Sequence, residues 1–140
     1  MGGDKREIYI RPIGIIRSPF PSRKEAPKQG FLSSEASRVE LFQEYEKGVE
    51  GIRIGDILDI LYWMGRAKRT TLWNRNRKKG VFGTRGPDRP NPVGICPVEV
   101  VGIEKNILHV VHLDAVDGSP VLDIRHSLFD SLDGLKTKKF

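Results

Sequence analysis

The sequence predicts a small, mainly β, barrel-like single domain, on three observations. The most apolar segment, Asp56–Met64, is too short and too rich in Ile, Leu, Tyr and Trp for a favoured helix, and reads as a central strand. Val93–Ile103 and Ile107–Leu113 flank Glu104-Lys105-Asn106, which is a hairpin signal. Pro87, Pro90 and Pro92 fall within six positions and forbid a helix or a central strand there. Convincing helical patterns are scarce, so a barrel fits better than an alternating α/β sheet.

The elements follow in chain order. Ile8–Ile16 is β-branched and reads as a strand, with Pro12 and Gly14 suggesting an edge position or a bulge. Ser18–Gly30, rich in Pro and Lys, reads as an extended loop. Ser37–Leu41 alternates and fits a strand, and Gln43–Lys47 fits a short helix stopped by Gly48. Val121–Ile124 is a last short strand. Residues 8–126 form the expected core of one domain spanning 1–140, and 127–140 reads as a loosely held tail.

A chain of 140 residues suits one domain with one core. Its sequence has no run long enough to span a bilayer, and Met1–Lys5 lacks the apolar core of a signal peptide. Cys96 is the single cysteine, so no disulfide forms within the chain. These features predict a cytoplasmic protein with no membrane association.

The net charge of +6 is concentrated. Nine Lys or Arg lie between Arg66 and Arg89, against one acid, Asp88, with Trp73 and Phe82 interleaved. Such a stretch suits a phosphate backbone and unstacked bases, the alternative being a solvated loop. Arg69, Arg75, Arg77, Lys78 and Lys79 are the expected RNA footprint.

Gly80–Gly94 packs glycines, prolines, two arginines and Asn91 into one irregular run, and rigid loops of this kind commonly bind ligands. Gly80, Gly83 and Gly86 are spaced suggestively for a dinucleotide, but Pro87 and Pro90 prevent a long helix from following directly, so this is not a Rossmann fold. A Gly-Lys-Ser/Thr phosphate loop is absent. His109 and His112, three apart on a strand, point to opposite faces, and no metal site is predicted. Cys96 reads as a small buried strand residue rather than a nucleophile.

Three blocks carry a resemblance. Gly80-Val81-Phe82-Gly83-Thr84-Arg85 followed by Arg89-Pro90-Asn91-Pro92-Val93-Gly94 is similar to the TsaA-like, or TrmO, family. Pro12–Phe20 with Ala26-Pro27-Lys28-Gln29-Gly30 resembles the family's opening strand and loop, and Asp114–Arg125 resembles its closing motif. The blocks are in order and cover Ile8 to Arg125. Two departures stand out. The apolar strand runs on as Tyr62-Trp63-Met64-Gly65-Arg66 where the family commonly has a His. The closing motif reads Asp123-Ile124-Arg125-His126-Ser127 in place of Asp-Ile-Lys-Pro-Tyr.

The resemblance implies a β-barrel that pairs as a homodimer, binds S-adenosylmethionine and acts on tRNA. The implied reaction is methylation of the 6-amino group of threonylcarbamoyl-adenosine beside the anticodon. The alternatives are a non-catalytic RNA- or nucleotide-binding barrel, or a methyltransferase with another substrate. The implied cofactor-binding residues are Gln29, Gly30, Phe31, Gly65, Arg66, Arg85, Ile95, His112, Leu113 and Asp114. Arg85 would hold a carboxylate with its two-pronged guanidinium; the alternative is a surface pair with Asp88. Phe31 would cover an adenine face or pack in the core. Asp114 and Asp117 fit turn formation equally. Asn91 and Arg89 are the candidate catalytic residues: a carbonyl of Asn91 accepting hydrogen bonds from an adenine amine would orient its lone pair, the alternative being a turn residue before proline.

Overall fold

The computed structural model describes residues 3, 5–22, 24 and 36–129. Six strands close an antiparallel barrel: β1 (Gly14–Arg17), β2 (Ala36–Leu41), β3 (Ile57–Trp63), β6 (Val93–Glu104), β7 (Ile107–Val111) and β8 (Pro120–His126). Around the barrel the order is β1-β2-β7-β6-β3-β8. A separate two-stranded ribbon, β4 (Trp73–Asn74) with β5 (Lys79–Gly80), stands apart from it.

Alternation builds the core. Successive strand side chains point to opposite faces, so every second residue enters the barrel. Val39 and Leu41 of β2, Leu58, Ile60 and Tyr62 of β3, Cys96, Val98 and Val100 of β6, and Leu108 and Val110 of β7 meet there in one cluster. Fully burying each aliphatic chain of this size contributes roughly 1.5–3 kcal/mol. Strand β3 is central as expected, paired with β6 on one side and β8 on the other.

Two glycines allow close approach inside the ladder. Gly14 pairs with Leu41 and also with Val121, so it sits between two strands rather than at an edge. A Cβ there would overlap the Glu40 carbonyl. Gly94 faces Tyr62 in the β3–β6 register, and its missing side chain is the space the Tyr62 ring fills.

Several boundaries differ from the sequence reading. The first strand is Gly14–Arg17, not Ile8–Ile16: Ile8, Tyr9 and Ile10 are exposed and lack a ladder partner among the described residues. The segment after β2 is a 3-10 helix, Gln43–Val49, which runs through Gly48 and delivers Val49 to the core. The hairpin between β6 and β7 turns on Lys105-Asn106 alone, with Lys105 left-handed at φ 53°. Strand β8 extends to His126 because Leu58 of β3 pairs with it there. The β4–β5 ribbon was not expected; its arms are two residues each and carry no alternation. The parts of the 18–30 loop at 23 and 25–30, and the tail at 130–140, lie outside the described residues.

Candidate functional site

A cleft of about 490 Å³ opens where β3 ends and β8 begins. Tyr62, Trp63, Met64, Gly65 and Arg66 form one wall. Arg85 and Pro87 enter from the Gly80–Gly94 loop, and Asp114 with the Val116–Pro120 turn closes the opposite side. The volume falls within the range of small-molecule sites, about 300–1,000 Å³. The 3-10 helix lies at the other end of the barrel, beside the start of β3 and the end of β8.

Asp114 is the partly buried carboxyl group of the cleft. Its Oδ1 accepts the Tyr62 hydroxyl at 2.7 Å. Burial pushes the Asp114 carboxyl above its ordinary 3.8, while the Tyr62 hydrogen bond and the Arg85 charge draw it partly back. Burial, reinforced by Asp114, pushes the Tyr62 phenol up, so it stays a donor. Burial likewise raises the Cys96 thiol, which donates to the His112 carbonyl at 3.2 Å. Cys96 is thus a strand residue of the cleft's underside and not a thiolate nucleophile.

The loop that carries Arg85 is held by Arg89. Its guanidinium donates to the carbonyls of Gly86, Val81 and Thr84, the first two at 2.8 and 2.7 Å. Arg89, a candidate catalytic residue, therefore acts in this structure as the internal brace of the loop. Arg85 donates from Nη2 to the Ile95 carbonyl at 2.8 Å. Asp88, its alternative partner from sequence, accepts the Lys68 backbone N–H at 2.9 Å.

The predicted cofactor residues divide. Gly65, Arg66, Arg85 and Asp114 converge on the cleft. Ile95 is half exposed and reaches the site through its carbonyl to Arg85. Leu113 is fully buried in the core. His112 is left-handed at φ 75°, just beyond β7, and turns the chain so that Asp114 reaches the cleft. Gln29, Gly30 and Phe31 lie outside the described residues. Sequence reasoning missed Tyr62, Trp63 and Met64 as walls; the available signal was a tyrosine placed opposite a glycine on the paired strand.

The cations divide as well. Arg75, Arg77, Lys78 and Lys79 are exposed on the β4–β5 ribbon, with Trp73 exposed beside them and Phe82 just after. Arg69 instead turns toward the protein: Nε donates to the Pro90 carbonyl at 2.8 Å, Nη2 to Asn91 Oδ1 at 3.3 Å, and the guanidinium lies 5.2 Å from the Trp63 ring centre. The closing-motif departure at Arg125-His126 lies around a hollow at the far end of the barrel, away from the cleft. Among the described residues no group of three or more His, Cys, Asp or Glu is placed to hold a metal ion, and no helix is long and apolar enough to cross a membrane.

Fold and cleft together define a small antiparallel β-barrel with a small-molecule-sized site at its strand ends. The chain matches the family model of the tRNA-methyltransferase O N-terminal domain over residues 15–131, and it belongs to that family. It is 46% identical over 133 residues to a probable S-adenosyl-L-methionine-binding protein of Methanothermobacter thermautotrophicus, covering 92% of this chain and 96% of that protein. It is 33% identical over 134 residues to the tRNA (adenine(37)-N6)-methyltransferase of Escherichia coli, covering 84% of this chain and 57% of that enzyme. The crystal structure of TrmO from Pseudomonas aeruginosa superposes with a TM-score of 0.78 at 28% identity, covering 90% of this chain. The present chain spans 58% of that TrmO chain.

Proposed function

We propose that this chain is an S-adenosylmethionine-dependent methyltransferase acting on the 6-amino group of an adenosine in tRNA, and in its finer form on threonylcarbamoyl-adenosine beside the anticodon. The observation that carries the reading is one cleft holding both charges: Arg66 and Arg85 on one side, and partly buried Asp114 with exposed Asp117 on the other. A zwitterionic ligand with a carboxylate, an ammonium and a sulfonium suits that pairing. Gly65 fits the same ligand. A Cβ there would make only ordinary contact with Trp63, 3.6 Å away, so the fold has no need of glycine and the space belongs to the cleft.

When bound, S-adenosylmethionine supplies an electrophilic methyl group. The chain's part is placement. Arg85 binds the carboxylate, tied to β6 through the Ile95 carbonyl. Asp114, set by Tyr62, faces the cationic part. The rim loop Pro90-Asn91-Pro92 holds the acceptor adenine. An adenine amine is a weak nucleophile because its lone pair is delocalised into the ring, so orientation supplies much of the rate. The exposed cations of the β4–β5 ribbon grip RNA phosphates. The expected setting is the cytoplasm, with the chain acting as a homodimer.

Isothermal titration with S-adenosylmethionine tests the reading. The expected result is micromolar binding that Arg85→Ala abolishes with little change in melting temperature. Methyl transfer to tRNA with and without the threonylcarbamoyl group then tests the finer substrate. An intact protein that binds no methyl donor overturns the reading in favour of a barrel that only binds RNA.

A further inference from the structure

Against the Trp63–Met64 wall of the cleft lies an arrangement that neither cofactor binding nor phosphate contact explains. Arg69 makes three contacts of different physical kinds, to the Pro90 carbonyl, to Asn91 Oδ1 and to the Trp63 ring face. Trp63 lines the cleft. The neighbouring wall residue, Met64, donates its backbone N–H to the Pro92 carbonyl at 2.9 Å. The Pro90–Pro92 segment is thereby fastened to the wall at both ends. A guanidinium can do this because its planar fork offers parallel donors while its face stacks on an aromatic ring.

The consequence lies in the Asn91 side chain. Its Oδ1 is turned to Arg69, so the outward end of the amide is the NH2 group. Among the described residues that NH2 makes no hydrogen bond. The backbone acceptors of the segment are engaged too: the carbonyls of Pro90, Asn91 and Pro92 accept from Arg69, Val93 and Met64 respectively. A rim that has spent its acceptors inward and kept a donor outward suits a hydrogen-bond acceptor on the ligand. On adenine the acceptors are the ring nitrogens that flank the amine. This reverses the expectation that an Asn91 carbonyl would receive the amine's hydrogens.

We propose that Arg69 is a positioning residue, clamping the Pro90–Asn91 loop on Trp63 so that the Asn91 NH2 donates to an adenine ring nitrogen beside the amine to be methylated. The proposal rests on the methyltransferase reading above and adds to it the base edge that is read and the residue that fixes the reader. Arg69 then contributes geometry, not charge, to RNA binding.

The test compares wild type with Asn91→Asp, Arg69→Lys and Arg69→Ala. Single-turnover methyl transfer, S-adenosylmethionine affinity and the salt dependence of tRNA affinity are measured for each. Asn91→Asp keeps an oxygen for Arg69 and replaces the NH2 donor with a charged acceptor, so the salt dependence of its tRNA affinity is read beside its rate to separate the lost donor from the added charge. It is expected to fold as wild type and bind the methyl donor within about twofold, yet to transfer about 10- to 100-fold more slowly, the discrimination of one to two tenfold steps that a base-edge hydrogen bond supplies. Arg69→Lys retains the charge, loses the fork, and is expected to lower kcat while leaving KM for tRNA close to wild type. Arg69→Ala should leave the salt slope of tRNA binding unchanged. Transfer by Asn91→Asp at the wild-type rate overturns the proposal, and so does a salt slope that falls by about one in Arg69→Ala, the mark of a lost phosphate contact. A wild-type protein that binds no methyl donor and transfers no methyl group removes the methyltransferase reading and this proposal together; one that transfers but ignores all three substitutions removes only this proposal.

Discussion

Replacing Tyr62 by Phe removes one hydroxyl and little else. The ring still fills the space opposite Gly94, so no cavity forms, and the change isolates the 2.7 Å hydrogen bond to Asp114. Its worth depends on pH. Burial holds the Asp114 carboxyl above 3.8, so between 3.8 and the raised value the folded protein retains a proton that the unfolded chain has released. That group therefore favours the fold at acidic pH, and the advantage is lost as pH rises through the window. The Tyr62 hydroxyl opposes this loss, because it stabilises the ionised carboxylate. Without it Asp114 titrates higher still, and ionising it costs more. At the acidic end Tyr62→Phe should cost about 1 kcal/mol, the worth of a neutral hydrogen bond, growing above the window to about 1.5–3 kcal/mol, the worth of one to a charged group. For a domain of this size each kcal/mol lowers Tm by roughly 3–5 °C. Urea unfolding of both proteins from pH 4 to pH 8 reads the difference directly, since the other titrating groups cancel. A cost that is absent, or equal at the two ends, would refute the account of Asp114.

Two further changes probe the same architecture from outside the hydrogen bond. Gly94→Ala places a Cβ 2.7 Å from both Cε atoms of Tyr62, too close to stand, so the ring must leave Asp114. The expected cost is about 1–3 kcal/mol by overpacking, with weakened S-adenosylmethionine binding, read by thermal melting and titration calorimetry. Reversing Arg75, Arg77, Lys78 and Lys79 to Glu should weaken tRNA binding and flatten its salt dependence while leaving Tm and methyl-donor affinity near wild type; unchanged RNA affinity would place the RNA on another surface.

Which parts were legible follows from the range of the interactions that made them. Strand β3 and the β6–β7 hairpin announce themselves locally, through a continuous apolar run and two apolar stretches around a turn, and both stand nearly where the residues put them. The first strand fails because composition cannot say where a partner ends: Ile8 and Ile10 are as β-branched as Ile15 and Ile16, yet the backbone bonds to the neighbouring strands begin only at Ile13. The site divides the same way. Arg85 and Asp114 stand in motifs that the family resemblance reaches, whereas the Tyr62–Asp114 bond joins residues 52 apart and depends on the barrel's closure. Arg69 is the sharpest case. In sequence it is one cation among nine, and nothing local separates it from Arg75 or Arg77. What separates them is that β3 ends beside the start of β6, bringing Trp63 and Met64 against the Pro90–Pro92 loop and leaving Arg69 a ring and two acceptors within reach. A charge count groups Arg69 with Arg75, Arg77, Lys78 and Lys79, but the ladder register sets it apart and turns it to the loop. The proposed phosphate contacts on the ribbon and the proposed base-reading loop are therefore separate sets of residues, and substitutions in one should leave the signature of the other intact.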